Sequence, residues 1–169
     1  MHNIWVRLNA VTFFAISVLM GLATLCCLST FNHVDVPVVK TLKLNNIRSL
    51  RNHGGTDQAL FSFDINADLT PVWHWNSHIL FVYLVAEYPS DANVLNQVVV
   101  WDKIIKSKSG TKIKETNQFV KYPLKDQGSE LRGKEVTLKL LIDHMPITGP
   151  TYPLFAGNHT FKLPSKYKL

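Results

Sequence analysis

The chain has 169 residues, of which 46% are hydrophobic, and a formal net charge of +6. This length accommodates one domain plus one extra element and excludes two well-cored domains. Charge is distributed unevenly, because no Asp, Glu, Lys or Arg occurs in residues 10–31. The sequence therefore divides into an apolar amino-terminal segment and a longer, charged remainder.

The apolar segment at residues 10–31 predicts a transmembrane helix. About 22 residues at about 1.5 Å each give roughly 33 Å, close to the thickness of a bilayer core. A cleaved secretory signal is the alternative, but its apolar region is normally about 7–15 residues and ends at a small-x-small site. The nearest such site, at 27–29, is poor. We therefore predict a cytosolic segment at 1–9, an uncleaved signal anchor at 10–31 and a lumenal domain at 32–169.

The orientation of the anchor is not decided by charge. Arg7 precedes the span, whereas Lys40 and Lys43 follow it closely, so the positive-inside rule favours neither side. A long domain after the span translocates largely regardless of its charges. Asn158 begins an N-glycosylation sequon, Asn-His-Thr. These features predict a single-pass type II protein of the endoplasmic reticulum membrane, with a lumenal carboxyl domain and a glycan at Asn158.

Both cysteines of the chain, Cys26 and Cys27, lie inside the predicted span. The following domain therefore cannot use a disulfide, the usual support of a small secreted domain with an insufficient core. About 135 residues are enough to form a packed core. A redox or metal role requires an accessible, electropositive setting that lipid does not offer. We expect two small apolar anchor residues, with palmitoylation as an alternative.

After a short juncture at 34–37, apolar and polar residues alternate with a period of two, which predicts strands. In the clearest case, residues 59–69, Phe61 and Phe63 share one face with the other apolar residues, and the polar residues form the solvent face. The continuous apolar run at 79–88 is typical of a buried central strand.

Seven segments are predicted as strands, each bounded by Gly, Pro, Ser or Asp. They cover residues 39–44, 59–69, 79–88, 97–105, 119–124, 135–143 and 160–163. Gly54 and Gly55 predict a turn between the first two strands, because glycine tolerates a positive φ. Short strands at this spacing predict two packed antiparallel sheets. The predicted fold class is all-β: one transmembrane helix followed by an antiparallel β-sandwich.

Two patterns resemble metal sites but are incomplete. Residues 64–68 imitate the opening of a calcium loop, yet Leu69 and Trp75 occupy the positions that require Gly and a bidentate Glu. His74 and His78 have the spacing of helical zinc ligands, but the accompanying glutamate is absent. We therefore predict no metal and no cofactor.

The sequence offers no convincing serine nucleophile. It contains no G-x-S-x-G elbow. The S-x-x-K string at 165–168 lies at the carboxyl end, where fraying opposes a preorganised site. We therefore predict no catalytic residue.

A basic stretch at 103–114 carries five lysines around Gly110. Together with the positive net charge, it could suggest nucleic acid, but a lumenal domain meets no such partner. Solvated loop lysines are the expected explanation. Attraction to anionic lipid headgroups or to an acidic partner is the alternative.

Three ordered sequence blocks carry a resemblance to a known family. They are F-D-I-x-A-D-L at 63–69, W-N at 75–76 followed by L-F-x-Y-L-x-A-E-Y at 80–88, and L-N-Q-V-x-x-W-D-x-I-I at 95–105. With the amino-terminal anchor, these blocks make the chain similar over essentially its full length to the signal peptidase complex subunit 3 family.

The resemblance implies an accessory subunit without catalysis of its own. In that family, a separate serine protease subunit cleaves signal peptides, and the lumenal domain braces that subunit. The implied partners are the catalytic subunit, the other small membrane subunits of the complex and the lipid bilayer, with the protein translocation channel as a further candidate. A translocon-associated binding module and a free-standing anchored hydrolase are the alternatives.

The sequence departs from the family at one site of modification. Animal members resemble each other in an Asn-Val-Thr sequon, but Glu135 stands at the matching position here. The glycan prediction therefore depends on Asn158 alone.

Two roles compete for the motif residues, which are Trp75, Asn76, Asn96, Gln97, Trp101 and Asp102. Large aromatic residues usually supply core area, whereas Asn96, Gln97 and Asp102 are candidates for contact with a partner. A structural role is the favoured interpretation. An exposed apolar patch beside these residues would favour an interface instead.

Overall fold

An amino-terminal helix, α1, covers Ile4–Ser29. The computed structural model describes residues 3–30, 33 and 36–168. Asn3 caps α1, because its side chain accepts a hydrogen bond of 3.1 Å from the backbone N–H of Trp5. The helix is apolar all round and long enough to cross a membrane by length and composition. The predicted end of the anchor at residue 31 and part of the juncture at 34–37 lie outside the described residues.

Eight strands follow α1 within the described residues. They are β1 (Val38–His53), β2 (Thr56–Asp68), β3 (Ser77–Tyr88), β4 (Asn96–Ile105), β5 (Lys112–Phe119), β6 (Leu124–Lys125), β7 (Glu135–Pro146) and β8 (Tyr152–Lys162). The first sheet contains β1, β2 and β5 in that order, with β6 paired to β2. The second sheet has the order β4-β3-β7-β8. Each pairing is antiparallel, so the predicted fold class is confirmed.

The core lies between the two sheets. Phe63 of β2 packs edge-to-face on Trp101 of β4, with ring centroids 5.7 Å apart, and Phe61 of β2 packs similarly on Phe161 of β8 at 5.5 Å. Alternate residues of β2, β3 and β7 are fully buried. Stability therefore comes from apolar side chains that interdigitate between the sheets, without a disulfide.

A two-residue turn joins β1 to β2, as predicted. Gly54 and Gly55 have φ values of 62° and 83°, and His53 pairs with Thr56. Positive φ at both central residues gives a hairpin turn whose twist matches that of the flanking strands. Asn52 supports the turn, because its side chain accepts a hydrogen bond from the N–H of Gly55 at 3.1 Å.

Several strand boundaries differ from the prediction. Strand β1 continues to His53, beyond the predicted end at residue 44. Three register irregularities interrupt its period of two after residue 39 and hid its full length from the sequence pattern. The predicted strand at 119–124 is wrong: β5 ends at Phe119, a bend follows, and β6 begins at Leu124. Strand β5 begins within the lysine-rich stretch, at Lys112, where loop lysines were expected. Its alternation was obscured because only Ile113 is buried within it.

The carboxyl-terminal tail is also more ordered than predicted. The backbones of Lys168 and Leu50 exchange two hydrogen bonds, of 2.7 and 2.8 Å. The hydroxyl of Tyr167 donates to Asp57 at 2.9 Å, and the guanidinium of Arg132 lies 4.7 Å from the Tyr167 ring centroid. The expectation of fraying at 165–168 is therefore wrong, and the lysine of the S-x-x-K string serves the fold by donating to the Ile47 carbonyl.

Candidate interaction surfaces

The carboxyl end of α1 is fastened to the domain through Asn76, which is 1% exposed. The Asn76 side chain donates to the Thr148 carbonyl at 2.8 Å and accepts from the Thr148 N–H at 3.1 Å. The N–H of Ile147 donates to the Asn76 carbonyl at 2.7 Å. One buried amide thus joins the loop before β3 to the loop after β7.

The two cysteines of α1 contact this junction. The hydroxyl of Thr148 lies 2.8 Å from the Cys26 sulfur, and that sulfur lies 3.6 Å from the Asn76 side-chain oxygen. A Cβ atom added at Gly149 would approach the Cys27 sulfur to 3.1 Å. Both cysteines are half-buried against the domain, so the expectation that they are merely apolar anchor residues is corrected. Glycine at 149 permits the close approach of the loop to the helix.

Trp75 is not a core residue, contrary to the structural interpretation. Its side chain is 63% exposed, although Asn76 beside it is buried. The adjacent His74 instead packs inward, with its ring centroid 4.7 Å from that of His144 and 4.8 Å from that of His33. The loop before β3 is therefore held from within by His74 and Asn76 and presents Trp75 on its outer side.

The outer face of the second sheet carries an exposed apolar surface at the end nearer to α1. The five residues that form it, hereafter the apolar patch, are Phe81, Tyr83, Ile104, Leu141 and Phe155. Phe81 and Tyr83 stack with centroids 5.2 Å apart, Ile104 pairs with Phe81, and Phe155 pairs with Leu141. Ile104 and Phe155, at opposite edges of the sheet, are 53% and 57% exposed. Asp102 and Asp143 lie among these residues, opposite Tyr83 and Phe81. Exposed apolar side chains grouped on one face make it a candidate interaction surface.

The far end of the same face is polar. Glu87 is paired with Lys139 at 2.6 Å and accepts a hydrogen bond of 2.7 Å from the Gln97 side chain. Burial opposes the ionisation of Glu87, but the contacts with Lys139 and Gln97 outweigh it and leave its pKa below the ordinary value. Exposed Asn158 pairs with Lys139 on this end. The sequon therefore lies on the same face as the apolar patch, one outward-facing residue pair from Leu141 and Phe155.

The outer face of the first sheet is charged around Asp64 and Asp68, and exposed Phe119 lies farther along it beneath the Arg48 guanidinium. Asp64 is 3.5 Å from the Lys43 amine and accepts 2.8 Å and 3.1 Å hydrogen bonds from the N–H of Asn117 and the side chain of Asn45. The Asn117 contact is the main reason that the pKa of Asp64 is lowered, and Lys43 contributes. Asp68 pairs with Lys112 across the β2–β5 register. The polar face predicted for β2 is thus a solvated surface.

The remaining motif residues lie on β4 in different environments. Trp101 is buried in the core, as favoured. Asn96 is half-buried and donates to the Tyr88 carbonyl and the Ser90 hydroxyl at 3.3 and 2.9 Å. Asp102 lies 3.3 Å from the Lys121 amine. Gln97 and Asp102 share the outer face of the second sheet, with Asp102 opposite Tyr83 of the apolar patch.

The structure brings together one serine and histidine that the sequence patterns missed. The Ser77 hydroxyl lies 2.8 Å from Nε2 of His144, and it accepts a hydrogen bond from the His74 N–H at 2.9 Å. Ser77 is 8% exposed and His144 is fully buried. A separation of 67 residues hides this pair from any local motif. His78, by contrast, is exposed, and no group of three potential metal ligands occurs among the described residues.

Comparison with known proteins identifies the family. A family model described as "Signal peptidase subunit" matches residues 1–166. The chain is 36% identical over 170 residues to "Signal peptidase complex subunit 3" of Dictyostelium discoideum, covering 99% of this chain and 97% of that protein. It is 35% identical over 170 residues to the Homo sapiens protein of the same name, covering 97% and 94%.

The chain belongs to the signal peptidase subunit family. A third relative, "Signal peptidase complex subunit 3" of Drosophila melanogaster, is 34% identical over 178 residues, covering 99% of this chain and 97% of the relative. The family resemblance predicted from the three sequence blocks is thus confirmed. Two of those blocks lie on β2 and β4, and the third runs from the junction at Asn76 along β3. In this signal peptidase subunit, the motifs therefore build the core, the junction and part of the apolar patch.

Proposed function

We propose that this chain is a non-catalytic, membrane-anchored subunit of the signal peptidase complex in the endoplasmic reticulum. The observation that carries the proposal is its identity of about one third, over nearly the full length, to proteins named as subunit 3 of that complex. The apolar helix α1 would anchor the chain, and the β-sandwich would lie in the lumen. Its contribution to signal peptide removal is binding energy that holds the catalytic serine protease subunit in place.

The apolar patch is the surface proposed to contact the catalytic subunit. Two exposed side chains, Ile104 and Phe155, stand at its edges, and the stacked Phe81 and Tyr83 stand at its centre. Burial of such aromatic and aliphatic side chains contributes about 25 cal/mol per Å² of apolar surface removed from water. Interfaces of stable assemblies have apolar centres and polar rims. Gln97, Glu87 and Lys139 supply a polar rim on the side away from the anchor.

A catalytic role for this chain is not supported by the Ser77–His144 pair. A serine nucleophile must reach a substrate carbonyl, and its base must take up the serine proton. Both side chains here lie beneath the loop before β3, and the cavity next to that loop is lined by Ser29, Thr30, His33, His74 and Trp75. The pair therefore satisfies a buried hydroxyl at the start of β3. We propose that the complex cleaves with a serine of another subunit.

The lumenal orientation rests on Asn158. The residue is exposed on the edge strand β8, where a glycan would meet no buried surface. Glycosylation would place the domain in the lumen, because sequons are modified there. Treatment with an endoglycosidase should increase the gel mobility of the wild-type chain and leave an Asn158→Gln variant unchanged. A wild-type chain that is insensitive to the enzyme would leave the proposed orientation without its main support.

The decisive test is affinity purification of the tagged full-length chain in mild detergent, with subunits identified and cleavage of a secretory precursor assayed. Wild type should recover a separate serine protease subunit and activity, and Ser77→Ala should keep both. Phe155→Glu should lose the catalytic subunit. The matched control, Asn66→Glu on the outer face of the first sheet, should retain it.

Different failures distinguish the alternatives. Equal recovery with both glutamate variants would refute the apolar patch as the contact surface while leaving the accessory role intact. Recovery of the translocation channel without the protease subunit would favour a translocon-associated binding module. Activity in the isolated chain that disappears with Ser77→Ala would establish a free-standing hydrolase and overturn the proposal.

A further inference from the structure

The end of the domain beside α1 presents a second group of exposed residues, distinct from the apolar patch. Trp75 is 63% exposed on the loop before β3, and Ile147 is 65% exposed on the loop after β7. Both residues flank the junction, because Asn76 follows Trp75 and accepts the hydrogen bond of the Ile147 N–H. Two large apolar side chains thus stand outside the buried junction instead of covering it.

A basic loop lies beside the same residues. Lys108 lines a shallow cavity together with Trp73, His74 and Trp75, and it is exposed on a short 3-10 turn between β4 and β5. The backbone carbonyl of Lys108 accepts hydrogen bonds from the N–H and the hydroxyl of Thr111. These bonds fix the turn, and the Lys108 side chain lies on its exposed side. Anionic lipid headgroups were one alternative partner for this lysine stretch, and the fold brings one of its members next to an exposed tryptophan.

The position of this group relative to the membrane follows from α1. A helix of 26 residues is about 39 Å long, longer than the hydrocarbon core of about 30 Å. Its last turn therefore reaches the interfacial layer of headgroups. Cys26, which lies in that last turn, contacts Thr148 of the loop after β7. Ser29 and Thr30 line a cavity together with Trp75. Trp75 and Ile147 consequently stand at the level of the membrane surface.

We propose that Trp75, Ile147 and Lys108 form a phospholipid-contacting surface by which the domain rests on the bilayer. This inference relies on the proposed membrane insertion of α1 but not on any contact with another subunit. Tryptophan prefers the membrane interface because its ring is apolar and its indole N–H hydrogen-bonds with the polar layer. Ile147 adds apolar area, and the Lys108 amine complements the negative charge of lipid phosphate.

Such a contact would give the domain a fixed tilt. The contacts of Asn76 and Thr148 with Cys26 attach the domain to the end of the anchor. A further contact with the lipid surface, on the side of Trp75 and Lys108, would hold the domain at one tilt relative to the bilayer. The apolar patch, which begins at Phe81, four residues after the start of β3, would then be presented at a defined height above the bilayer.

The test uses the purified full-length chain in nanodiscs whose phosphatidylcholine carries bromine atoms either near the headgroup or near the chain ends. Bromine quenches tryptophan fluorescence only at short range. Wild type should be quenched by bromine near the headgroup. Trp75→Phe should lose the larger part of this quenching, and the remainder should come from Trp5 at the other end of α1. Trp73→Phe is the matched control, because Trp73 is only partly exposed and packs against the core. It should leave the headgroup-side quenching of Trp75 unchanged.

Charge is tested in the same system. Replacing part of the phosphatidylcholine by an anionic phospholipid should increase the headgroup-side quenching of wild type, and Lys108→Ala should abolish that increase. Lys114→Ala, on the outer face of the first sheet, should not. Free inorganic phosphate at millimolar excess should leave the increase in place, since a lipid surface and not a soluble anion is the partner.

Two results would overturn the inference. If Trp75→Phe and wild type are quenched equally by both brominated lipids, Trp75 does not contact the bilayer. This conclusion holds whether or not the chain binds other subunits. If Lys108→Ala and Lys114→Ala respond alike to anionic lipid, the charge effect belongs to the domain as a whole. Neither result bears on copurification with the protease subunit, so failure here is distinguishable from failure of the proposed function.

Discussion

The two outer faces of the sandwich differ in chemistry although they cover the same core. The face of the first sheet is charged, with Asp64 paired to Lys43 and Asp68 opposite Lys112. The face of the second sheet carries the apolar patch, with Ile104 and Phe155 more than half exposed. An antiparallel sheet needs only one apolar face in order to fold, and the other is normally solvated. The first sheet follows that rule, and the departure in the second sheet is the reason for proposing a partner-binding surface there.

The largest effect on stability is expected when a substitution in the core is compared with one in the apolar patch. Phe63→Ala removes a fully buried ring that packs on Trp101 and should lower the free energy of unfolding by about 3–5 kcal/mol. Phe155→Ala removes a ring of the same size from the outer face and should change the free energy of unfolding by no more than about 0.5 kcal/mol. Denaturant unfolding of the full-length variants in detergent measures both. Comparable losses would mean that the patch serves folding and would remove the contrast between the two outer faces.

A smaller effect is expected at the junction that sets the orientation of the patch relative to α1. Asn76→Ala leaves the backbone groups of Thr148 without their side-chain partner, which costs about 1–3 kcal/mol for buried polar groups. The loss should be local. Amide hydrogen exchange should accelerate at residues 146–149 and stay unchanged in β2. Uniform acceleration across both sheets would show that Asn76 supports the whole sandwich.

The polar rim of the second sheet should confer a pH dependence. The folded pKa of Glu87 is below its ordinary value of 4.5, because Lys139 and Gln97 outweigh the opposing effect of burial. The stabilisation from Glu87 is therefore present above pH 4.5 and is lost as the pH falls through the lower folded pKa. Glu87→Gln should lower stability by about 1 kcal/mol at neutral pH and flatten the acid limb of the stability profile. An acid limb of unchanged slope would assign that dependence to other carboxylates.

The smallest effect is expected on the charged outer face. Lys43→Ala removes one partner of the exposed pair with Asp64, while the Asn117 and Asn45 hydrogen bonds to that carboxylate remain. Exposed ion pairs contribute little because water and salt screen them. The unfolding midpoint should stay within measurement error, and recovery of the protease subunit should match wild type. Reduced recovery would make the first sheet a second contact surface and weaken the distinction between the faces.

Much of the fold was predictable from local patterns. The alternation in β2, the apolar run in β3 and the paired glycines at the hairpin each depend on neighbouring residues, and the structure confirms all three. The prediction failed where strands deviate from a period of two. Bulges hid most of β1, and a single buried residue, Ile113, left β5 indistinguishable from a basic loop. Strand β8 was predicted only from residue 160 because Pro153 and Gly157 disfavour strand interiors, although an edge strand accommodates them.

The sequence by itself determined the apolar anchor segment, the all-β class and, through three motif blocks, the family. These properties follow from composition, period and order along the chain, so they need no knowledge of distant contacts. Only the tertiary structure decided that Trp75 is exposed while Asn76 beside it is buried. It likewise decided that Cys26 meets Thr148 and that Phe155 joins Leu141 in one apolar patch. Each of these features depends on which side chains from remote strands and loops come into contact, and those contacts determine which side chains are buried.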